Sequence, residues 1–200
     1  MTGTEPTPEI DGSGGRATSA DEVLRGSEPV SDELPASGTE GVMARPVGSD
    51  EAVLRRATQV DAGAVADVWL ASFSEALPTV QRAHDDDEVR GWIASHLVPS
   101  TECWVATVDG EVVAMMALSP GWIDQLYVVP GRQGRGIGSA LVRRALERQA
   151  EEGWEPLQLW TFQVNAGARG FYARHGFHEV ELTDGSTNEE HEPDIRLHHP

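Results

Sequence analysis

Leu126-Tyr127-Val128-Val129-Pro130-Gly131-Arg132-Gln133-Gly134-Arg135-Gly136-Ile137-Gly138 is the stretch on which the reading of this chain turns. A β-branched, aromatic run stops at Pro130-Gly131, and the glycines are followed by Ile137, Ala140, Leu141, Ala145 and Leu146 at helical spacing. The segment therefore predicts a strand, a glycine turn and a helix ending near Gly153. Closely spaced glycines let backbone N–H groups approach a ligand without Cβ obstruction. At a helix N-terminus those groups form an anion site, and Arg132 and Arg135 add positive charge. A phosphate ligand, above all a pyrophosphate, is the chemistry this pattern suits.

Working outward, the same alternation of signals continues. Ala52 to Ala57 reads as a strand, and Asp61 to Phe73 as a helix with Val65, Val68, Trp69 and Ser72/Phe73 on one face; Pro78 ends that region. Asp85 to Leu97 reads as a second helix. Its acids Asp85-Asp86-Asp87-Glu88, beside His84, suit a helix start better than a metal cluster. Glu102 to Val108 and Glu111 to Leu118 flank Asp109-Gly110, a hairpin signal, and Trp122 to Val129 is a third strand. Beyond the central helix come a strand (Pro156 to Val164), a short helix (Ala166 to His175, closed by Gly176) and a strand (Phe177 to Leu182). A polar segment, Thr183 to Pro193, leads to a last strand near Asp194 to His198. This order predicts an α/β domain over residues 51–200, with a mixed, mainly antiparallel sheet flanked by helices.

Residues 1–50 differ. They hold ten acids, three Arg and no aromatic residue, a net charge of −7, and read as a disordered acidic tail. The whole chain of 200 residues carries −18. All 15 basic residues are Arg, so the Lys of a Walker A phosphate loop is lacking. Such acidity argues against nucleic-acid partners and favours a cationic acceptor. No apolar run reaches the ~18–20 residues of a membrane span, and Met1 to Ile10 has no secretory pattern. The expected location is cytoplasmic, without membrane partners. Cys103 is the only cysteine, expected as a small buried residue rather than a nucleophile.

From the glycines alone, a dinucleotide fingerprint fits poorly, because Ser139 stands at its third glycine position, and a ligand-free turn stays open. The spacing Gln133-x-x-Gly136-x-Gly138 resembles the acetyl-CoA loop of the GNAT superfamily of N-acetyltransferases, Gln/Arg-x-x-Gly-x-Gly/Ala. Asp124 to Pro130 resembles that family's fourth strand. Asn165 with Gly170-Phe171-Tyr172-Ala173-Arg174-His175-Gly176-Phe177 resembles its distal motif. The likeness covers residues 51–183 and extends to Asn188–Asp194.

This resemblance implies an enzyme that moves an acetyl group from acetyl-CoA directly to a primary amine: a small amine, a polyamine, an aminoglycoside or a peptide N-terminus. It implies that the amides of Gln133, Gly134, Arg135, Gly136, Ile137, Gly138 and Ser139 hold the pyrophosphate. Leu126, Tyr127 and Val128 would hold the pantetheine arm through their backbone, and Asn165 would add a cofactor contact. Tyr172 is the implied general acid. Some relatives carry a Glu five residues before the Asn; here Trp160 stands there, so the base is sought in Asp124 first, or in Glu189, Glu190 or Asp194. A homodimer is one assembly left open. A non-catalytic acyl-CoA sensor is the alternative of another class.

Overall fold

The computed structural model describes residues 46–47 and 52–200, so the acidic tail expected over residues 1–50 lies outside the described residues except at Pro46–Val47, which pair with Ala52–Val53 as a short strand. Eight strands form one sheet: β1 (Pro46–Val47), β2 (Ala52–Arg56), β3 (Glu102–Val108), β4 (Glu111–Ser119), β5 (Trp122–Val128), β6 (Leu157–Phe162), β7 (His178–Leu182) and β8 (Asp194–His199). Their order is β1-β2-β3-β4-β5-β6-β8-β7, and every pairing is antiparallel except β5 with β6. The predicted mixed, mainly antiparallel sheet is therefore present. The β3–β4 turn has positive φ at both Asp109 (52°) and Gly110 (84°). Two such residues make the turn whose twist matches a hairpin, which is why Asp-Gly marks it in the sequence.

Helices cover both faces: α1 (Ala62–Ala76), α2 (Asp86–Trp92), α3 (Ile137–Glu152) and α4 (Ala166–Ala173). The predicted Asp85–Leu97 helix is regular only to Trp92; Ile93–Leu97 form a π turn, followed by a last helical turn at Val98–Ser100. Asp85 and Glu88 form a capping box: Asp85 Oδ1 accepts from the Glu88 N–H at 2.9 Å, and the Asp85 N–H donates to Glu88 Oε2 at 2.9 Å. The acidic run is thus a helix start.

Two cores result from the alternation of strand side chains. Met115, Ala117, Val105 and Cys103 face Val65, Trp69, Phe73, Ile93 and Leu97 from α1 and the α2 region. Ala114, Met116, Leu118 and Ile123 face Ile137, Leu141, Ala145, Tyr172 and Phe177. Cys103 is buried as expected, and burial pushes its thiol up to about 11.

The entry to α1 is held by Asp61, which is only 7% exposed. Its carboxylate accepts from Arg55 Nη1 and Nη2 at 2.8 and 2.7 Å and from the Thr58 N–H at 2.8 Å. The Arg55 guanidinium, against the cost of burial, holds the carboxyl well below the usual range. A lowered folded pKa adds stability that is present above the unfolded pKa of ~3.9 and lost as pH falls through the folded value. Asp61→Asn should therefore cost about 2 kcal/mol at pH 7. Urea unfolding should show that gap narrowing below pH ~4; a gap independent of pH would assign the loss to packing.

Candidate active site

The sheet opens at its centre. β5 and β6 run parallel yet pair at one register position, Trp122 with Gln158, beside the Gln158 N–H bond to the Gly121 carbonyl at 2.8 Å. Beyond that point the strands diverge toward Val128 and Phe162 and leave a wedge-shaped gap. A β-bulge in the β4–β5 ladder lies at the start of the wedge, where Ala117 pairs with Gln125 and Leu118 with Ile123, leaving Asp124 as the extra residue.

Strand alternation decides which β5 backbone groups face the gap. The Val129 N–H donates to the Val113 carbonyl at 3.0 Å, and Met115 stands opposite Tyr127. Residues of that parity direct their polar groups to β4, so those of Leu126 and Val128 turn to the open side. This corrects the expectation for Tyr127: its backbone is committed to the ladder, and what it offers is its side chain. The Val128 carbonyl is also occupied, accepting from Ser72 Oγ at 3.0 Å and from Gln133 Nε2 at 3.2 Å. Gln133 thus ties the glycine loop to the strand. Leu126 N–H and C=O and the Val128 N–H are the groups left to pair with an extended chain. Ser72, on the inner face of α1, was legible only as a buried helix position.

The glycine loop ends at Gly136, which caps α3 with φ +84°. Gly134 and Gly136 are exposed, and a Cβ built on either meets no atom within 4 Å. Open space therefore lies over the loop. The first helical bond is Ala140 N–H to the Gly136 carbonyl at 3.0 Å. The N–H groups of Ile137, Gly138 and Ser139 consequently have no intrahelical acceptor. Gly138 has a different reason to be glycine: a Cβ there would lie 3.2 Å from Phe171 Cζ and 3.6 Å from Val128 Cγ2. It lets α3 approach β5 and α4 closely. Arg135 is exposed on the loop, while the Ile137 side chain is fully buried below it.

Across the wedge, Asn165 caps α4, its Oδ1 accepting from the Ala168 N–H at 3.0 Å. Its oxygen is engaged in the fold, so its amide NH2 is the group that remains for a ligand. About two turns on, Tyr172 is 7% exposed, packed edge-on against Phe171 (5.1 Å) and Phe177 (5.4 Å). His175 Nδ1 lies 2.9 Å from the Phe171 carbonyl, near the end of α4. The Tyr127 ring belongs to the opposite face of the sheet, 5.6 Å from Trp69. Burial raises both phenols above the ordinary value, and each phenolate is further disfavoured by a neighbour: Tyr172 by Tyr127, and Tyr127 by Glu190.

The carboxylates separate. Asp124 Oδ1 accepts from Ser119 Oγ at 2.9 Å, whereas Oδ2 is enclosed without a hydrogen-bond partner. Burial pushes this carboxyl up to about 6. Asp194 is structural: buried, bonded to the Thr183 hydroxyl and, through Oδ2, to Asn188 Nδ2 at 3.1 Å. Glu189 Oε2 pairs with His84 Nε2 at 3.0 Å. Among the described residues, no group of three or more His, Cys, Asp or Glu could hold a metal, and no helix is long and apolar enough to cross a membrane.

A sheet wedged open between two parallel strands, with a glycine turn and helix N-terminus at one side, defines the acetyltransferase architecture. The chain belongs to the acetyltransferase (GNAT) family, whose model matches residues 65–177. It is 34% identical over 93 residues to an uncharacterized N-acetyltransferase of Methanocaldococcus jannaschii, a stretch covering 41% of each chain. That stretch is less than half of the relative. The peptidyl-lysine N-acetyltransferase YiaC of Escherichia coli is 25% identical over 130 residues, covering 64% of this chain and 85% of that one. Among solved structures, the PaiA N-acetyltransferase of Thermoplasma acidophilum in complex with coenzyme A has the same fold. Its TM-score is 0.60 at 18% identity, over 74% of this chain and 98% of that one.

Proposed function

We propose that this protein is an N-acetyltransferase that uses acetyl-CoA and a primary amine. The observation that carries this reading is the open space over Gly134 and Gly136, facing three helix N-terminal amides and adjoining the wedge. A pyrophosphate fits such a cradle, and an extended pantetheine arm fits the free edge of β5. Bound there, acetyl-CoA supplies an acyl group activated as a thioester.

The chain's own residues account for the rest. The amides of Gly134 to Ser139 bind the pyrophosphate. Leu126 and Val128 orient the arm, and a backbone N–H aimed at the thioester carbonyl would stabilise charge developing on its oxygen. Tyr172, raised by burial, stays protonated at working pH and holds a proton for the departing sulfur. Asp124 lies at the closed end of the wedge and takes the proton that the amine must lose. A carboxyl at about 6 is ionised at neutral pH and more basic than an ordinary carboxylate, as a general base should be. The acceptor class is a cationic primary amine. The acidity of the chain and the peptidyl-lysine activity named for the Escherichia coli relative support it.

Thiol release from acetyl-CoA, followed across an amine panel, tests the activity; absence of acetyl-CoA binding would overturn it. Asp124→Asn tests the base. The wild-type kcat/KM should fall below pH ~6, as the carboxylate protonates, and the variant should lose activity by roughly 10²–10⁴. Its stability should move the other way. A raised carboxyl pKa means that the ionised form opposes folding above the unfolded pKa, so removing that charge should leave the variant at least as stable at pH 8. An active variant with the same acid limb would retire Asp124.

A further inference from the structure

α1 buries a hydroxyl in a face that is otherwise apolar. Ser72 is 3% exposed and shares that face with Val65, Val68, Trp69 and Phe73. A serine inside a helix can return its hydroxyl to the carbonyl one turn back. Ser72 Oγ instead donates across to the Val128 carbonyl of β5 at 3.0 Å. The other buried polar side chains among the described residues bond elsewhere in the scaffold. Asp61 pairs with Arg55, Thr107 bonds the Val53 carbonyl, Gln149 the Pro200 carbonyl and Asp194 the Thr183 hydroxyl. Of this group, Ser72 alone bonds to β5.

The bond falls where β5 has lost its neighbour. β5 and β6 pair only at Trp122 and Gln158, so the Val128 carbonyl, directed to the open side, has no strand to bond. Ser72 Oγ and Gln133 Nε2, at 3.0 and 3.2 Å, take the place of that strand. The two donors come from different parts of the fold, one from α1 and one from the glycine loop. Just under one turn before Ser72, on the same face of α1, Trp69 Nε1 donates to Gln125 Oε1 at 3.0 Å. α1 is thus fastened to β5 at both ends of residues 125–128, the stretch that holds the free groups of Leu126 and Val128. Trp69 meets a side chain there, whereas Ser72 meets the backbone itself. The N–H and C=O of one strand residue point the same way. A donor that fixes the Val128 carbonyl therefore also fixes the aim of the Val128 N–H.

We propose that Ser72 is a positioning residue for the cofactor edge: through the Val128 carbonyl, which it shares with Gln133, it holds the Val128 N–H in line for the extended arm of acetyl-CoA. In this role it touches neither substrate. The carbonyl stays anchored while either donor remains and is left without a partner when both are lost, so the two donors back each other up. Alanine at this position would suit the helix better and would leave the apolar packing of α1 in place. The buried hydroxyl is explained by its bond to the strand edge, not by the needs of the helix.

This inference rests on the acetyltransferase reading, and the experiment separates the two. Acetyl-CoA is titrated calorimetrically into wild type, Ser72→Ala, Gln133→Ala and the double variant, and the thermal unfolding of each is followed. Ser72→Ala and Gln133→Ala should each weaken acetyl-CoA binding at least about threefold. The double variant should lose at least about threefold more than the product of the two single losses, because both donors serve one acceptor. The melting temperature of Ser72→Ala should move by less than about 4 °C. In turnover with the best amine of the panel, Ser72→Ala should raise the acetyl-CoA KM, with the amine KM and kcat within about twofold. A residue that served packing alone would lower the melting temperature and leave the acetyl-CoA affinity where it was. Failure of the wild type to bind acetyl-CoA would remove the acetyltransferase reading itself. With wild-type binding intact, an acetyl-CoA affinity within about twofold of wild type in Ser72→Ala, or losses that simply multiply in the double variant, would overturn this proposal alone.

Discussion

Tyr172→Phe should lower kcat by roughly 10²–10⁴, the range for a positioned general acid, while the acetyl-CoA Kd stays within about twofold. The ring is held between Phe171 and Phe177 and would pack unchanged. The hydroxyl makes no hydrogen bond among the described residues, so its removal strands no buried partner. Stability should accordingly stay within about 0.5 kcal/mol. That combination, a large loss in kcat with an intact melting curve, distinguishes a proton donor from a packing residue. The burial that keeps the phenol protonated also makes a thiolate in the same surroundings a stronger base, so the transfer is not opposed. Single-turnover measurements should place the loss in the chemical step. A fall of less than about threefold, with chemistry rate-limiting, would return the proton to water.

Gly136→Val should weaken acetyl-CoA binding at least about a hundredfold while leaving the fold in place. Two costs coincide. Gly136 caps α3 at φ +84°, a conformation that a β-branched residue adopts only at a cost of about 1–3 kcal/mol. Its Cβ would also project into the open space over the loop, where the pyrophosphate is proposed to lie. The loop is exposed and the core below it begins at Ile137, so the strain should lower the melting temperature by only a few degrees. Calorimetric titration with acetyl-CoA checks the first cost and thermal unfolding the second. Unchanged affinity would remove the loop from the cofactor site.

What the sequence determined by itself was local. Asp109-Gly110 announced a hairpin because both residues accept positive φ. Asp85 and Glu88 announced a helix start because their side chains reach backbone N–H groups three residues apart. The spacing Gln133-x-x-Gly136-x-Gly138 marked a loop whose backbone must be bare, and Ala140, Leu141 and Ala145 marked the buried face behind it. Each signal acts within a few residues, where turn geometry and the helical period dictate the outcome. Even here Gly138 misled in part, since its missing Cβ makes room for Phe171, 33 residues away.

Only the tertiary structure decided the rest. β8 inserts between β6 and β7, and β5 meets β6 at a single pair before parting; both depend on pairings distant in sequence. The bulge that leaves Asp124 out of register belongs to two strands together, and its raised pKa follows from enclosure by groups the local sequence does not name. Tyr127 and Tyr172 belong to the cores on opposite faces of the sheet, a division set by which strand and helix faces pack together. His84 and Glu189, 105 residues apart, become an ion pair that ties the β7–β8 loop to the segment before α2. Burial and Coulomb interactions act through space, so a carboxylate's partners and protonation follow from its neighbours in the fold rather than from its place along the chain.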